Sequence, residues 1–439
     1  MTTEGERTPV AKAPAGHARP SFSRSMARRL SWGLADQAAS SISNFLVGMY
    51  VARSLGLTAF GLFTLTWVTY GVVLNISRGL ASDPLVVRFS DAPDAAWRAA
   101  TARAMGTALG VGCVIGVVAL VIGLGFGGRL GTAFTVLGVV LPGLLLQDAW
   151  RFAFFAAGAG RKAFFNDVVW GIALLPALVI AARVGTVEAF VLAWGGTAAV
   201  AAAYGCFQSG IRPRPTRARA WLREQRDLGY RYLVENVSLS GASQLRAYGL
   251  GAIAGVSAVG AVRGAELLLG PFLAVLMGLS LVTVPEAARV LRQTPHRLGS
   301  FCFLLAGGLA TAALFWGGAL LLVPDWAGQH VLGQVWHSAS QLIVPATVGV
   351  AGAGLGVGAA AGLRALAAAR RSLRCQLFAS LCYVGGGLGG AALAGTVGSA
   401  WGVAAANVCA SAVWWLQLRS ALRERDALTL SNTPTPSPK

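Results

Sequence analysis

The sequence predicts an all-α polytopic membrane protein with about twelve transmembrane helices arranged as two six-helix bundles. Three observations carry this: apolar runs of bilayer length, a one-sided distribution of basic residues, and an internal six-helix period. Only 12% of the 439 residues are charged and 55% are hydrophobic, with a mean hydropathy of +0.62. A span needs roughly 20 apolar residues. That window places helices near 31–54, 58–81, 104–126, 132–157, 164–183, 187–208, 232–255, 257–284, 300–323, 339–362, 375–395 and 398–419.

A net charge of +19 would suggest a nucleic-acid partner in a soluble chain. Here it does not, because the basic residues sit in short connectors, as the positive-inside rule expects. The tail and connectors on the N-terminal side hold 30 of the 36 Lys and Arg. The opposite side keeps Arg53, Arg129 and Arg183, and Arg151, Arg246 and Arg263 fall within predicted helices. The bias predicts an even number of spans with both termini in the cytoplasm.

The period is read from matched positions about 200 residues apart. Leu34-Ala35-Asp36-Gln37 pairs with Leu233-Val234-Glu235-Asn236, Pro84 with Pro285, Pro142 with Pro345, and Arg161 with Arg364. With six spans per half, the two halves share one orientation. The predicted organisation is a disordered basic cytoplasmic tail (1–30), an N-terminal bundle (31–210), a basic cytoplasmic linker (211–231), a C-terminal bundle (232–419) and a second disordered tail (420–439). The first helix is polar and lacks a small-residue cleavage site, so it reads as a retained span. None of the six cysteines forms a C-x-x-C pair, and neither a disulfide framework nor a zinc site is implied.

Ionisable side chains at membrane depth are costly and tend to face a bundle interior or a wet cavity. In the first helix Asp36, Ser40, Ser43, Asn44 and Val47 recur at steps of three and four, which draws a polar stripe down one face. In the seventh, Glu235, Ser238, Ala242, Arg246 and Gly249 do the same, with Glu235 and Arg246 roughly 16 Å apart along the axis. Asp36 and Glu235 are shallow and face either a cavity or the cytosol. Arg263 with Glu266, and Asp148 with Arg151, stand one turn apart as either packing pairs or cavity groups. Arg246 has no carboxylate at that spacing. Neither Arg246 nor Arg263 has a charged counterpart in the other half, so neither is needed by a shared scaffold. Pro271 should free a carbonyl near Leu267.

Other signals have plainer readings. Gly354, Gly358 and Gly362 in GAGLGVGAAAG suit close helix packing rather than a nucleotide loop. Asn75-Ile76-Ser77 and Asn236-Val237-Ser238 fall inside spans, where a glycosylation pattern is accidental. His330 and His337 read as a solvated pair, and Trp414 and Trp415 as interfacial anchors. No catalytic signature or sizeable soluble insertion is visible, which disfavours an enzyme.

The stretch LADQAASSISNFLVGMYVARSLGLTAFGLFTLTWVTYGVVLNISRGLASDPLVVRFS resembles the first two helices of Wzx-type oligosaccharide flippases of the multidrug/oligosaccharidyl-lipid/polysaccharide (MOP) superfamily. LQDAWRFAFFAAGAGRKAFFNDVVW resembles the family's fourth helix and its exit. The likeness covers about the first 170 residues and is mainly topological after them. It implies two bundles in a V around a central cavity, alternating access, and no cofactor. The implied substrate is a polyprenyl-diphosphate-linked oligosaccharide, flipped across the cytoplasmic membrane for cell-surface polysaccharide assembly. Implied partners are that substrate, membrane lipids and polysaccharide polymerase or assembly proteins, with no nucleic acid. Arg246, Arg263 and Arg151 become candidates for holding the diphosphate, since guanidinium binds phosphate oxygens bidentately and keeps its charge in a dry site. Asn44 and Ser40 would line the same path. Asp36 and Glu235 become candidates for a coupling ion or proton. A cation-coupled multidrug exporter of the same superfamily, or a non-transporting component of a polysaccharide assembly complex, are the competing readings.

Overall fold

The computed structural model of the chain describes residues 41–90 and 93–431. All regular elements there are helical. The first half contains α1 (41–54), α2 (Leu57–Phe89), α3 (Asp94–Phe126), α4 (Gly128–Ala156), α5 (Gly160–Val184) and α6 (Val187–Ser209). A short α7 (Ala218–Glu224) leads to α8 (Arg226–Ala254), α9 (Val256–Gln293), α10 (Leu298–Leu321), the two short helices α11 (Asp325–Leu332) and α12 (Val335–Ser340), and α13 (Ile343–Ala365). The last long helix, Ala369–Ser431, is broken at Ala394 and Gly395, where Gly395 has φ 59°. The positive φ favours glycine, and the break divides the stretch into α14 (369–393) and α15 (396–431). Among the described residues nine helices are long and apolar enough to cross a membrane, the broken one counted once. Dividing it, and adding α1 and the more polar α8, brings the number of long helices to twelve. The chain is a multi-pass membrane protein.

Several boundaries differ from those the sequence suggested. α2 runs on to Phe89 and α3 already begins at Asp94, so Arg78, Arg88, Arg98 and Arg103 are helical rather than connector residues. The extension of α2 passes through a π-helical segment, Arg78–Ser82, a distortion that relieves one inserted residue and often accompanies function. The linker is likewise structured: α7 lies on the first half, with Trp221 fully buried and its indole N–H donating to Leu80 O at 3.0 Å. Arg103 pairs with Glu224 at 2.6 Å and Arg88 with Asp227 at 2.5 Å.

Within the first half α4 packs against α3, α5 and α6; within the second, α13 packs against α10 and the α14–α15 stretch. Gly358 and Gly362 bear out the packing role of the glycine run, because a Cβ at Gly358 would strike Cys302 O and one at Gly362 would lie 2.8 Å from Leu418 Cδ1. Trp414 is corrected from an interfacial anchor to a core residue. It is buried with Leu298, Cys302 and Leu418, while its neighbour Trp415 reaches Leu355 O at 2.9 Å. The matched prolines Pro142 and Pro345 lie in α4 and α13, the fourth long helix of each half.

The halves meet along α2, which contacts both α8 and α9. At one end a Cβ at Gly61 would collide with Val256 O, and one at Gly260 would lie 2.5 Å from Leu57 O. Further along, Thr69 and Tyr248 share a hydrogen bond of 2.7 Å, Asn75 donates to Ser240 at 3.0 Å, and Asn236 donates to Asp83 at 2.7 Å. Both asparagines of the discounted glycosylation patterns therefore tie helices together. The α11–α12 hairpin adds a second tie: Leu332, Val335 and Trp336 are buried in the same cluster as Val47, Val51 and Phe60 of the first half.

Candidate functional site

A cavity of about 710 Å³ opens among α1, α8, α9, α13, α14 and α15. Its polar groups are Ser41 and Asn44 from α1, Arg246 from α8, Arg263 and Glu266 from α9, Tyr383 from α14 and Asn407 from α15. The remaining wall is apolar, including Phe45, Leu267, Pro271 and Val350. A cavity of this size and character, with a few convergent polar groups, is the usual form of a ligand site.

Helix geometry explains how these groups converge. A turn separates Arg263 from Glu266 on α9, so both point the same way. Arg246 reaches them from α8 because α14 presents Gly387, where a Cβ would come within 2.8 Å of Arg246 Cδ. Nη2 of Arg246 donates to Glu266 Oε1 at 3.0 Å, and Nη1 of Arg263 donates to Glu266 Oε2 at 3.2 Å. The Arg246 guanidinium also lies 5.1 Å from the Tyr383 ring centroid, a cation–π distance. Its side chain is 8% exposed, and Nε has no hydrogen-bond partner among the described residues. Glu266, at 39%, is far more open to the cavity. One carboxylate thus serves two guanidinium groups, leaving a local charge of one positive unit.

The same residues form a partition. On the other side of Arg246, Arg263, Glu266 and Tyr383 lies a smaller cavity of about 220 Å³, lined also by Thr64, Trp67 and Gly71 of α2. The cluster therefore stands between the main cavity and the seam where α2 meets α8 and α9.

The residues singled out in the sequence do not all meet here. Arg246, Arg263 and Asn44 line the main cavity, whereas Asp36 and Ser40 lie outside the described residues. Ser43 faces α5, its hydroxyl 3.5 Å from a Cβ placed on Gly171, and Val47 is buried. Only Asn44 of the described part of that stripe reaches the cavity. Glu235 is exposed near the start of α8 and is remote from the arginine cluster in the chain. His330 and His337 are exposed on the α11–α12 hairpin.

Arg151 belongs to a second network inside the first half. Its Nε lies 3.2 Å from Asp167 Oδ2, while its distance to Asp148 is 3.9 Å. Asp148 is instead held bidentately by Arg78, at 2.9 Å from Nε and 2.6 Å from Nη2. Gln147 donates to Asp167 at 2.9 Å, and Asn166 donates to Ala201 O at 2.8 Å. Among the described residues this network sets two arginines, Arg78 and Arg151, against two aspartates, Asp148 and Asp167. The spacing of Asp148 and Arg151 suggested a pair, which the structure keeps at 3.9 Å, but Arg78 at the start of the π segment is the closer partner of Asp148.

Sequence reasoning passed over Tyr383, Asn407 and the reach of Glu266 to Arg246. Asn407 did carry a signal, as it and Ser411 recur at a four-residue step in an apolar helix; they donate to Gly349 O and Gly352 O. Near Pro271 the Trp316 indole donates to Leu268 O at 3.1 Å, next to the Leu267 carbonyl that the proline frees.

No protein-family model and no curated protein sequence matches the chain. Solved structures do match it in fold. An inward-facing multidrug resistance MATE family transporter of the MOP superfamily superposes with a TM-score of 0.65 at 15% identity, covering 90% of this chain and 96% of that one. The lipid II flippase MurJ, in an inward closed conformation, gives 0.66 at 8% identity over 93% and 94%. A MOP superfamily transporter from Pyrococcus furiosus, for which reverse polarity of the binding pocket suggests a different function, gives 0.53 at 15% over 92% and 96%. At identities this low the likeness shows the fold alone, an all-α membrane fold with about twelve helices.

Proposed function

We propose that the chain is an alternating-access transporter of the cytoplasmic membrane, with both termini cytoplasmic, that moves a polyprenyl-diphosphate-linked oligosaccharide from the inner to the outer leaflet for surface polysaccharide assembly. The observation that carries this reading is the net positive Arg246–Glu266–Arg263 cluster in an otherwise apolar cavity. A diphosphate needs two or more fixed donors with permanent charge, and two guanidinium groups provide them. The fold shared with MurJ and the MATE transporters supports transport by two bundles, and the apolar wall suits a lipid-borne substrate. Asn44 and Asn407, which line the cavity, serve as sugar hydrogen-bond partners. Arg151, held against Asp167 and Asp148, serves the architecture of the first half in this reading. Asp36 and Glu235 are left as the matched acidic pair for ion or proton coupling. Arg246→Ala should abolish polysaccharide export while the protein remains in the membrane; normal export would overturn the assignment.

A second reading, a cation-coupled multidrug exporter, is favoured by the apolar wall and by the exposure of Glu266, which could meet a cationic drug. The two part on charge. Removing Arg246 should raise the efflux of a cationic dye if Glu266 is the drug ligand, and leave dye accumulation unchanged if the substrate is an anion.

A further inference from the structure

The cavity already holds an anion of its own. Glu266 spans both arginines through separate oxygens, and its side chain is nonetheless more exposed than that of either arginine, so it can swing out while the Arg246 guanidinium stays buried. Two arginines left together at this depth without a counterion would carry the cost of uncompensated buried charge. We propose that Glu266 is a tethered competing anion. It occupies Arg246 and Arg263 when the cavity is empty, is displaced by the substrate's diphosphate on loading, and re-engages as the headgroup leaves. This rests on the anionic-headgroup reading above.

Exchange of one anion for another keeps the arginines partnered in both states. A side chain tethered next to its partners acts at an effective concentration of order millimolar. It therefore weakens a tight-binding substrate enough to be released at the far side, and gives the empty protein a cluster of lower positive charge with which to return. Tyr383 keeps the Arg246 guanidinium in place during the swap, since its ring contact does not depend on Glu266.

The test uses the full chain in lipid nanodiscs, with farnesyl diphosphate as the probe and Arg246→Ala, Glu266→Gln and Glu266→Asp as variants. Glu266→Gln keeps the shape and removes the charge; binding should tighten about tenfold, a change of about 1.4 kcal/mol. In flipping assays the same variant should turn over more slowly at saturating substrate. Glu266→Asp, a shorter and poorer competitor, should tighten binding by a smaller factor, and decides the matter if the Gln variant does not fold. If Arg246→Ala weakens binding tenfold or more but both Glu266 variants bind no tighter than wild type, the tethered anion is refuted and the anionic-headgroup reading stands. If wild type and Arg246→Ala bind the probe equally, both fall.

Discussion

Asp148 of α4 offers the sharpest test of the architecture, because its removal should strand charge in the first half. Its side chain is 6% exposed and accepts two bonds from Arg78, itself 29% exposed. Removing one partner of a buried pair costs about 3–5 kcal/mol, mostly the penalty for the charge left behind. Arg78 retains partial access to its surroundings and stacks 5.0 Å from the Phe152 ring, which puts Asp148→Ala at the low end, about 3 kcal/mol. Asp148→Ala should therefore destabilise more than the double variant Arg78→Ala/Asp148→Ala, in which both charges are gone. Equilibrium unfolding in graded mixtures of mild detergent and SDS, run as a double-mutant cycle, measures the coupling. A coupling of about 2 kcal/mol or more is expected; one below about 0.5 kcal/mol, the scale of independent sites, would refute the pairing. Arg151→Ala should couple to Asp167 rather than to Asp148.

Trp336 is 3% exposed and fits against Gly328, with its indole on Asp325 at 2.8 Å. Trp336→Ala should cost about 3–5 kcal/mol in the same unfolding assay, and the loss should fall on the tie between α12 and the first half. At Gly61 a Cβ would collide with Val256 O, so Gly61→Val should disfavour the conformation described here, read as a changed distance between spin labels on α2 and α9. Single cysteines at Gln329 and Arg161, in a cysteine-free background, report orientation. An impermeant maleimide applied to intact cells should label Gln329→Cys and spare Arg161→Cys, and the reverse would invert the proposed topology.

Much of the fold was legible because membrane spans announce themselves. Length and hydropathy placed twelve helices, and the matched Pro142 and Pro345 fell in the fourth long helix of each half. Helix ends were read less well, since α2 and α3 extend beyond the apolar window on polar residues such as Arg88 and Arg98, which hydropathy assigns to connectors. The site was legible in part. Helical spacing brought Arg263 to Glu266 but could not show that Arg246 joins them, because that contact depends on the approach of α8 to α9 and on the space left at Gly387. Spacing also paired Asp148 with Arg151, which lies 3.9 Å away, but could not show that Arg78, seventy residues earlier, comes closer. A local rule finds partners on one helix; a bundle chooses among neighbours on several. The polar stripe of α1 divides for the same reason, with Ser43 turned to α5 and Asn44 to the cavity.

The central claim is that the cavity carries a lipid-linked anion, and leaflet exchange measures it most directly. Vesicles containing the purified protein and a fluorescent polyprenyl-diphosphate disaccharide can be quenched from outside over time. Wild-type protein should expose the inner-leaflet pool faster than protein-free vesicles, Arg246→Ala should not, and a neutral polyprenol carrying the same fluorophore should show no dependence on the protein. Equal rates for wild type and Arg246→Ala on the diphosphate lipid, or movement of a cationic dye in its place, would contradict the account.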